Sequence, residues 1–211
     1  MAESSAVPVA RSPIAQPDPV ARVAGWVVHT GRAAAALRLA DHTPLSKVLV
    51  RAAPGGALAD HLGVPFGRAR RDRHGTLVVG CDPGGWLLLG PPGGEAAIAS
   101  RLREVADATP VSVVEVFSHG RALVRLTGAD APRLLAKVCA IDLDDGVTPD
   151  GAAFRSSVAK IATDVVRDDV SGERSYLLHC ERSSGQYLFD ALMDAGDEFG
   201  IERDGFTGRE T

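Results

Sequence analysis

The sequence is poor in the features that mark disulfide-rich, membrane-spanning or nucleic-acid-binding proteins. It has only 3 cysteines, which are widely separated in the chain. This argues against a disulfide framework or a cysteine-based zinc site and suits a reducing, cytoplasmic compartment. No uninterrupted apolar run approaches the roughly 20 residues of a membrane-spanning helix. Acidic residues outnumber basic ones, and the net charge is −4. We therefore expect neither a membrane nor a nucleic acid as a partner.

Motifs for catalysis and metal binding are also missing. The sequence contains no G-x-S-x-G, H-E-x-x-H or C-x-x-C, and its 6 histidines are scattered along the chain. Such motifs bring nucleophiles, bases or metal ligands to a fixed spacing. We therefore predict no catalytic residue and no metal ligand in this chain, and we assign no cofactor-binding residue.

Charged residues cluster at three places. The basic stretch Arg68–Arg73 (RARRDR) is interpreted as a solvated loop, with a contact to an anion or to a partner as the alternative. The acidic stretches Asp142–Asp145 and Asp164–Asp169 are interpreted as solvated loop acids, because clustering within one loop differs from a convergent acid/base pair.

The stretch Gly85–Glu95 (GWLLLGPPGGE) has the strand, glycine turn and helix order of a phosphate-binding loop. A Walker loop also needs G-x-x-x-x-G-K-[ST], but no lysine occurs between Lys47 and Lys137. The two prolines remove backbone N–H groups that would otherwise hold a phosphate. The stretch therefore predicts a strand-to-helix corner.

An internal repeat gives this corner a counterpart. Gly85–Leu102 aligns without a gap with Ser175–Leu192, and this alignment places Trp86 on Tyr176. Both aromatic residues are interpreted as core or interface anchors. Because each half reads strand, helix, strand pair, helix, we predict an α+β protein of two similar ferredoxin-like halves with mostly antiparallel sheets.

The repeat also sets the predicted domain boundaries. Residues 1–31 are expected to form a flexible N-terminal arm, because they hold 4 prolines and lack the apolar segment of a signal peptide. Residues 32–108 form the first half-repeat and residues 109–211 the second, and the two make one compact unit. In the upstream part of the repeat, Val48–Gly63 resembles Ala122–Val138.

The predicted elements follow apolar periodicity and turn residues. Strands are predicted at 46–52, 76–80, 86–89, 111–117, 121–126, 156–166 and 175–181, and helices at 55–63, 95–106, 130–139 and 183–199. Residues 32–40 are read as either a short helix or a strand. Ser183 or Ser184 is expected to cap the last helix.

Two stretches carry a resemblance to a known family: Leu126–Leu143 (LTGADAPRLLAKVCAIDL) and Glu181–Gly200 (ERSSGQYLFDALMDAGDEFG). They resemble the gamma subunit of heterotetrameric sarcosine oxidase. The family pattern is matched at Thr127-Gly128, Asp130-Ala131, Leu135, Cys139, Asp142-Leu143, Arg182-Ser183-Ser184, Tyr187-Leu188, Asp194-Ala195 and Glu198-Phe199-Gly200. Asp82–Pro92 resembles the family's tryptophan-centred strand, although Gly84-Gly85 stands where the family has an acidic residue.

The resemblance implies the fold of the glycine-cleavage T-protein, a folate-binding aminomethyltransferase. It also implies a non-catalytic gamma subunit in a cytoplasmic complex that oxidatively demethylates sarcosine to glycine, with folate as one-carbon acceptor. The implied partners are the alpha, beta and delta subunits. The implied cofactors are FAD, FMN, NAD, tetrahydrofolate and zinc, all held by other subunits and none by this chain.

Two alternatives remain open at this point. The chain could be a stand-alone tetrahydrofolate-dependent aminomethyl or methyl transferase, which would need a pocket with a carboxylate that holds the pterin. Glu115, Asp142 and Asp164 are the candidate carboxylates. It could also be a regulatory module that binds a ligand between its two halves.

Overall fold

The computed structural model describes residues 9–106 and 112–208. The strands are β1 (Ala10–Arg11), β2 (Val20–Val23), β3 (Trp26–His29), β4 (Arg38–Asp41), β5 (Ser46–Arg51), β6 (Ala69–Arg71), β7 (Leu77–Asp82), β8 (Gly85–Gly90), β9 (Val113–Val116), β10 (Arg121–Thr127), β11 (Ala153–Val158), β12 (Ile161–Arg167), β13 (Ser175–Glu181) and β14 (Glu202–Asp204). The helices are α1 (Ala57–Leu62), α2 (Glu95–Val105), α3 (Ala131–Val138) and α4 (Gly185–Gly196), with 3-10 turns at Arg182–Ser184 and Asp197–Phe199.

The strands form two large sheets and one small one. The six-stranded sheet has the order β11-β12-β13-β10-β4-β14, the five-stranded sheet has the order β6-β7-β8-β5-β9, and the small sheet is β1-β3-β2. Only the pairs β1–β3 and β4–β14 are parallel among the described strands. This confirms the predicted α+β class with mostly antiparallel sheets.

The central strands of both large sheets are buried because both faces of each sheet are covered. Every residue of β8 is buried, and so is every residue of β13 except Glu181. One face of each sheet packs on helices: α1 and α2 cover the five-stranded sheet, and α3 and α4 cover the six-stranded sheet. The other two faces pack on each other through Leu87, Leu123 and Leu177. The layers are therefore helix, sheet, sheet, helix.

The two halves are ferredoxin-like, but strands cross between them. In the five-stranded sheet, β5, α1, β7, β8, α2 and β9 follow the order β-α-β-β-α-β, and β9 completes the unit beside β5. In the six-stranded sheet, the place beside β10 belongs to β4, which precedes the first unit in the chain. The strand after α4, β14, pairs with β4 instead.

The sheets therefore do not follow the predicted division into 32–108 and 109–211. The strand β4 of the first range lies in the six-stranded sheet, and β9 of the second range lies in the five-stranded sheet. The boundary itself, between residues 108 and 109, lies outside the described residues, as does Val111, where one strand was predicted to begin.

Two links carry the chain between the sheets, and both are held in the same way. Residues 42–45 join β4 to β5, and residues 117–120 join β9 to β10. Thr43 Oγ1 accepts the backbone N–H of Leu123 at 3.1 Å, and Ser118 Oγ accepts that of Lys47 at 3.0 Å. Each link is thus tied to the strand that lies beside the one it follows: β10 beside β4, and β5 beside β9.

Strand pairing fixes how the repeat aligns upstream. Val48 pairs with Leu88 and Val124 pairs with Leu178, and Leu88 and Leu178 are equivalent in the repeat. Val48 therefore corresponds to Val124, two residues beyond the predicted match with Ala122. By the same pairing, Lys47 corresponds to Leu123.

The interpretation of residues 1–31 as a flexible arm differs from the structure over residues 9–31. This segment contains β1, β2 and β3, and Ile14, Trp26 and Val28 are buried. Trp26 also stacks on His119, with ring centroids 4.7 Å apart. The prolines lie outside these strands, so they do not prevent strand pairing.

Three local predictions need correction, and one that was left open is resolved. Residues 69–71 of the basic stretch form the edge strand β6 rather than a loop. The predicted strand 156–166 is two strands, because Ala159 and Lys160 form a turn with φ of 48° and 67°. No side-chain hydrogen bond caps α4 at Ser184, since a 3-10 turn precedes the helix. The ambiguous segment 32–40 contributes residues 38–40 to the strand β4, in line with the strand alternative.

The corner Gly85–Glu95 uses its own polar groups internally, as predicted for a corner. The N–H of Gly94 donates to Ser46 Oγ at 2.9 Å and to Pro91 O at 3.0 Å. The Ser46 hydroxyl also lies 2.6 Å from Pro91 O and from Glu95 Oε2. These bonds fasten the start of α2 to β5.

Candidate functional site

The three candidate carboxylates lie in separate parts of the fold. Glu115 is exposed on β9, at the edge of the five-stranded sheet. Asp142 is exposed in the loop after α3, where its Oδ1 accepts the N–H of Asp144 at 2.9 Å. Asp164 is half-buried on β12 of the six-stranded sheet. The structure therefore does not bring these acids to one pocket.

Asp164 is the candidate with the most unusual surroundings. Burial raises its pKa, while Arg155 and Arg121 oppose that change. It lines a cleft with Cys81 and Phe154, but the cleft volume is only about 10 Å³. Small-molecule pockets measure roughly 300–1,000 Å³. The space beside Asp164 therefore does not fit a pterin.

A histidine and a cysteine also lie near Asp164. His179 Nδ1 is 3.6 Å from Asp164 Oδ2, a separation that permits an ion pair. Burial nevertheless lowers the pKa of His179 to about 3, so the ring is neutral beside the carboxyl group. Burial likewise raises the pKa of Cys81 to about 12. A thiol that stays protonated is a poor nucleophile, so the group is not arranged for covalent catalysis.

His179 is expected to make the protein sensitive to acid. Because its pKa is about 3 when folded and about 6.5 when unfolded, the unfolded state binds more protons between these values. Folding stability then falls as pH decreases through this window, by about 1.4 kcal/mol per pH unit. Urea unfolding at pH 6.5 and at pH 5 measures this loss. Between these two pH values, His179→Leu should lose about 2 kcal/mol less stability than the wild type loses.

An exposed histidine provides the control for this measurement. His61→Leu should keep the pH dependence of the wild type, since His61 lies on the surface of α1. Parallel stability curves for wild type and His179→Leu would show that the ring does not carry the acid sensitivity.

Arginine–aspartate pairs link the two sheets at one end. Asp168 Oδ2 accepts Arg125 Nη2 from β10 and Arg71 Nη2 from β6, both at 2.7 Å. Arg167 Nη1 and Nη2 bind Asp145 at 2.6 Å and Asp169 at 3.0 Å. The bonds to Asp169 and Asp145 raise the pKa of Arg167 above its usual value.

The solvated interpretation is therefore wrong at Asp168 and Asp169 of the second acidic stretch, whereas Asp145 of the first stretch is exposed although it binds arginines. Asp168 is buried, and the bonds from Arg167 and Arg174 hold the pKa of Asp145 below its usual range. Arg71 and Arg125, the partners of Asp168, lie on distant strands, so spacing within the sequence could not reveal them. The network ties loops and strands together, and its carboxylates are already paired with arginines.

Lys47 is a buried cation at the crossing of the two links. Its Nζ donates to Thr43 O at 2.7 Å, to Leu45 O at 3.0 Å and to Ser118 O at 3.5 Å. Burial lowers its pKa to about 7. Because the ammonium binds carbonyl groups of both links, Lys47 fastens the crossing. Sequence reasoning missed this role, because lysine in a strand is usually expected to face solvent.

Trp86 and Tyr176 are both buried, as core anchors would be. Trp86 Nε1 donates to Val64 O at 2.7 Å, which fixes the segment after α1 against β8. Gly84 adopts a φ of +87°, and a Cβ there would come within 2.7 Å of Ala52 O. The tight turn before Trp86 explains why glycine stands at this position.

A cavity of about 210 Å³ lies where β4, β10 and β14 end. Its carboxylates already bind arginines: Glu173 lies 2.5 Å from Arg38 Nη2, and Asp204 lies 3.3 Å from Arg32 Nη2. The volume is below the roughly 300 Å³ of common ligand pockets. This cavity therefore offers ion pairs rather than an open ligand site.

The outer edge of the five-stranded sheet presents backbone groups for pairing. Phe117 N–H donates to Lys47 O, and antiparallel pairs alternate between bonded and non-bonded positions. The N–H groups of Val114 and Val116 on β9 therefore point away from β5. Val113 and Val116 are also 50% and 44% exposed. At the matching edge of the other sheet, β14 covers β4.

Two negative findings concern the described residues. Within residues 9–106 and 112–208, no group of three or more His, Cys, Asp or Glu side chains is arranged to hold a metal ion. Across the same ranges, no helix is long and apolar enough to cross a membrane.

Known proteins match the chain in sequence and in structure. Sarcosine oxidase subunit gamma from Corynebacterium sp. (strain P-1) is 28% identical over 180 residues, which cover 82% of this chain and 86% of that protein. Heterotetrameric sarcosine oxidase from Corynebacterium sp. U-96, solved with pyrrole 2-carboxylate, has a chain that superposes with a TM-score of 0.69. That match is 27% identical and covers 81% of this chain and 89% of the solved one. The resemblance to the gamma subunit family is thus confirmed.

Other similarities concern the fold and the wider family. Glycine cleavage system aminomethyltransferase T from Bartonella henselae superposes with a TM-score of 0.65 at 18% identity, covering 88% of this chain and 55% of that chain. This match confirms the T-protein-like fold. The family model for the GCVT N-terminal domain matches residues 78–211, well over half of the chain. The protein therefore belongs to the GCVT N-terminal domain family.

Proposed function

We propose that this chain is a non-catalytic, gamma-type subunit of a sarcosine-oxidase-type complex that demethylates sarcosine oxidatively to glycine, with folate as one-carbon acceptor. The observation that carries the proposal is coverage. The chain matches 86% of a gamma subunit in sequence and 89% of a sarcosine oxidase chain in structure. A shared domain within a larger enzyme would cover a smaller share of its relative.

The proposal assigns alpha-, beta- and delta-type subunits as partners. These partners would hold FAD, FMN, NAD, tetrahydrofolate and zinc, and this chain would hold no cofactor. The separation of Glu115, Asp142 and Asp164 supports that division, because no two of them share a described pocket. We assign the complex to the cytoplasm, and the free thiols of the three cysteines are consistent with a reducing compartment.

We further assign the edge of β9 to the contact with a partner subunit. An exposed strand edge with apolar side chains is prone to pair with another chain unless it is covered. Here Val113 and Val116 are exposed, and two backbone N–H groups point outward. A partner strand or loop laid on this edge would bond these groups and bury the valines.

Co-expression with alpha-, beta- and delta-type subunits tests the proposal. We expect the chain to elute with a large flavoprotein and Val116→Glu to weaken that association at least tenfold, because a carboxylate would be buried at the contact. Val147→Glu is the matched control, since Val147 is an exposed valine in a loop. Size-exclusion chromatography and calorimetry of the purified subunits measure both effects.

Two results would contradict the proposal. A chain that stays monomeric at micromolar concentration beside these partners would not be their subunit. Heat released by the isolated chain on addition of tetrahydrofolate would instead favour a folate-dependent transferase. Equal association of Val116→Glu and wild type would contradict only the assignment of the β9 edge.

A further inference from the structure

The basic stretch Arg68–Arg73 has no part in the proposed function, yet it borders a cavity of about 550 Å³. The cavity lies on the helix side of the five-stranded sheet, between α1, α2 and the turn after β6. Cationic side chains line its walls, and apolar side chains of Val78, Leu88 and Leu102 lie at its floor. Its volume is within the range of small-molecule pockets.

The second half of the protein fills the equivalent space. There, α3 is 8 residues long and packs against α4, and Leu134 and Leu192 are fully buried. A methyl group on Gly196 would come within 2.7 Å of Leu134, which shows how closely the helices approach. In the first half, α1 has only 6 residues and is followed at once by the capping residue Gly63. The cavity is thus a feature of one half and not a requirement of the fold.

Arg70 and Arg101 at this cavity differ from Arg71, which also lines it but binds Asp168. Arg51, Arg125 and Arg167 each bind a carboxylate. Among the described residues, Arg70 and Arg101 form no ion pair. The nearest polar contact of Arg101 is from Nη2 to Thr76 Oγ1 at 3.4 Å.

The carboxylates at the cavity do not pair with these arginines. Asp72 Oδ1 accepts the backbone N–H groups of His74 and Thr76 at 2.8 Å and 2.9 Å, so it stabilises its own turn. Glu104 also lines the cavity, and no ion pair joins it to a described arginine. In a chain of net charge −4, these guanidinium groups keep donors that could bind a ligand.

We propose that this cavity binds a small organic oxyanion, a phosphate or a polycarboxylate, through Arg70 and Arg101. A guanidinium group binds either oxyanion with two parallel hydrogen bonds. The apolar floor would contact the organic body of the ligand. This site lies apart from the β9 edge and does not depend on the subunit role.

Calorimetry on the full-length chain tests the site with two probes at matched ionic strength. Pyrophosphate represents the phosphates and citrate the polycarboxylates. We expect one of them to bind, and the double variant Arg70→Gln/Arg101→Gln to weaken that binding at least tenfold. The double variant should fold normally, because neither side chain forms an ion pair with a described residue. Its melting temperature without anion checks this.

The matched control is Arg133→Gln, which removes an exposed arginine of α3 and should leave the affinity unchanged. Absence of heat with both probes at millimolar concentration would overturn the proposal, and so would equal affinity in all three proteins. If neither probe binds but the double variant fails to assemble with partner subunits, the cavity is a protein contact and the proposal is also wrong.

Discussion

Arg125→Met is expected to lower the free energy of unfolding by about 3 kcal/mol. In the wild type, Arg125 donates to Asp168 Oδ2 at 2.7 Å, to Asp168 O at 3.0 Å and to Ser175 Oγ at 2.6 Å. Methionine fills a similar volume but leaves these buried acceptors with fewer donors. Removal of one partner of a buried ion pair costs about 3–5 kcal/mol. The lower value applies because Arg71 still binds Asp168.

Urea unfolding of wild type, Arg125→Met and Arg133→Met measures this effect. Arg133 pairs with Asp130 on the surface of α3, and its side chain is 70% exposed. Such pairs contribute about 0.5 kcal/mol or less, so Arg133→Met should be close to wild type. If Arg125→Met lost less than about 1 kcal/mol, the network would be a weak link between the sheets.

Lys47→Met should change how stability depends on alkaline pH. The folded pKa of Lys47 is about 7, because burial disfavours the charged form, whereas the unfolded value is 10.5. Between these values the unfolded state binds more protons, so the wild type gains stability as pH rises. The gain is about 1.4 kcal/mol per pH unit. Between pH 7 and pH 9 the stability of the wild type should therefore rise by about 2 kcal/mol more than that of the variant.

Unfolding at pH 7, 8 and 9 checks this prediction through the difference between the two proteins. Comparison with the wild type cancels the contribution of the cysteine thiols, which titrate in this range in the unfolded chain. Lys137→Met is the control, because Lys137 is partly exposed and bonds Glu198 on the surface. A difference that stays constant across the three pH values would show that the Lys47 amine keeps an ordinary pKa.

Local patterns in the sequence were sufficient for most central strands. The apolar runs of β5, β8, β10 and β13 predict strands because each is bounded by glycine or charged turn residues. The alignment of Trp86 with Tyr176 correctly predicted two similar halves. Short or polar strands were missed, among them β1, β6 and β14, because tertiary pairing rather than propensity stabilises them.

Contacts between distant segments could not be predicted from local patterns. The strand β4 pairs with β10 of the second half, and β9 pairs with β5 of the first half. Nothing in the sequence of β4 or β9 specifies these partners. Lys47 and Arg125 have the appearance of solvent-facing residues until both faces of their sheets are known to be covered. The repeat did indicate that both faces of each sheet could be covered. Two similar halves can stack their sheets on each other, and this buries the face of each sheet that carries no helices.

The exchange of β4 and β9 between the two sheets has a consequence for the origin of the fold. A single half made as its own polypeptide would place its first strand outside its own sheet, so it could complete that sheet only with the first strand of a second copy. The present chain has the architecture of such a strand-swapped homodimer fused end to end. Lys47 and Leu123, which pair with the equivalent residues Leu89 and His179, then mark a position where the two former copies diverged.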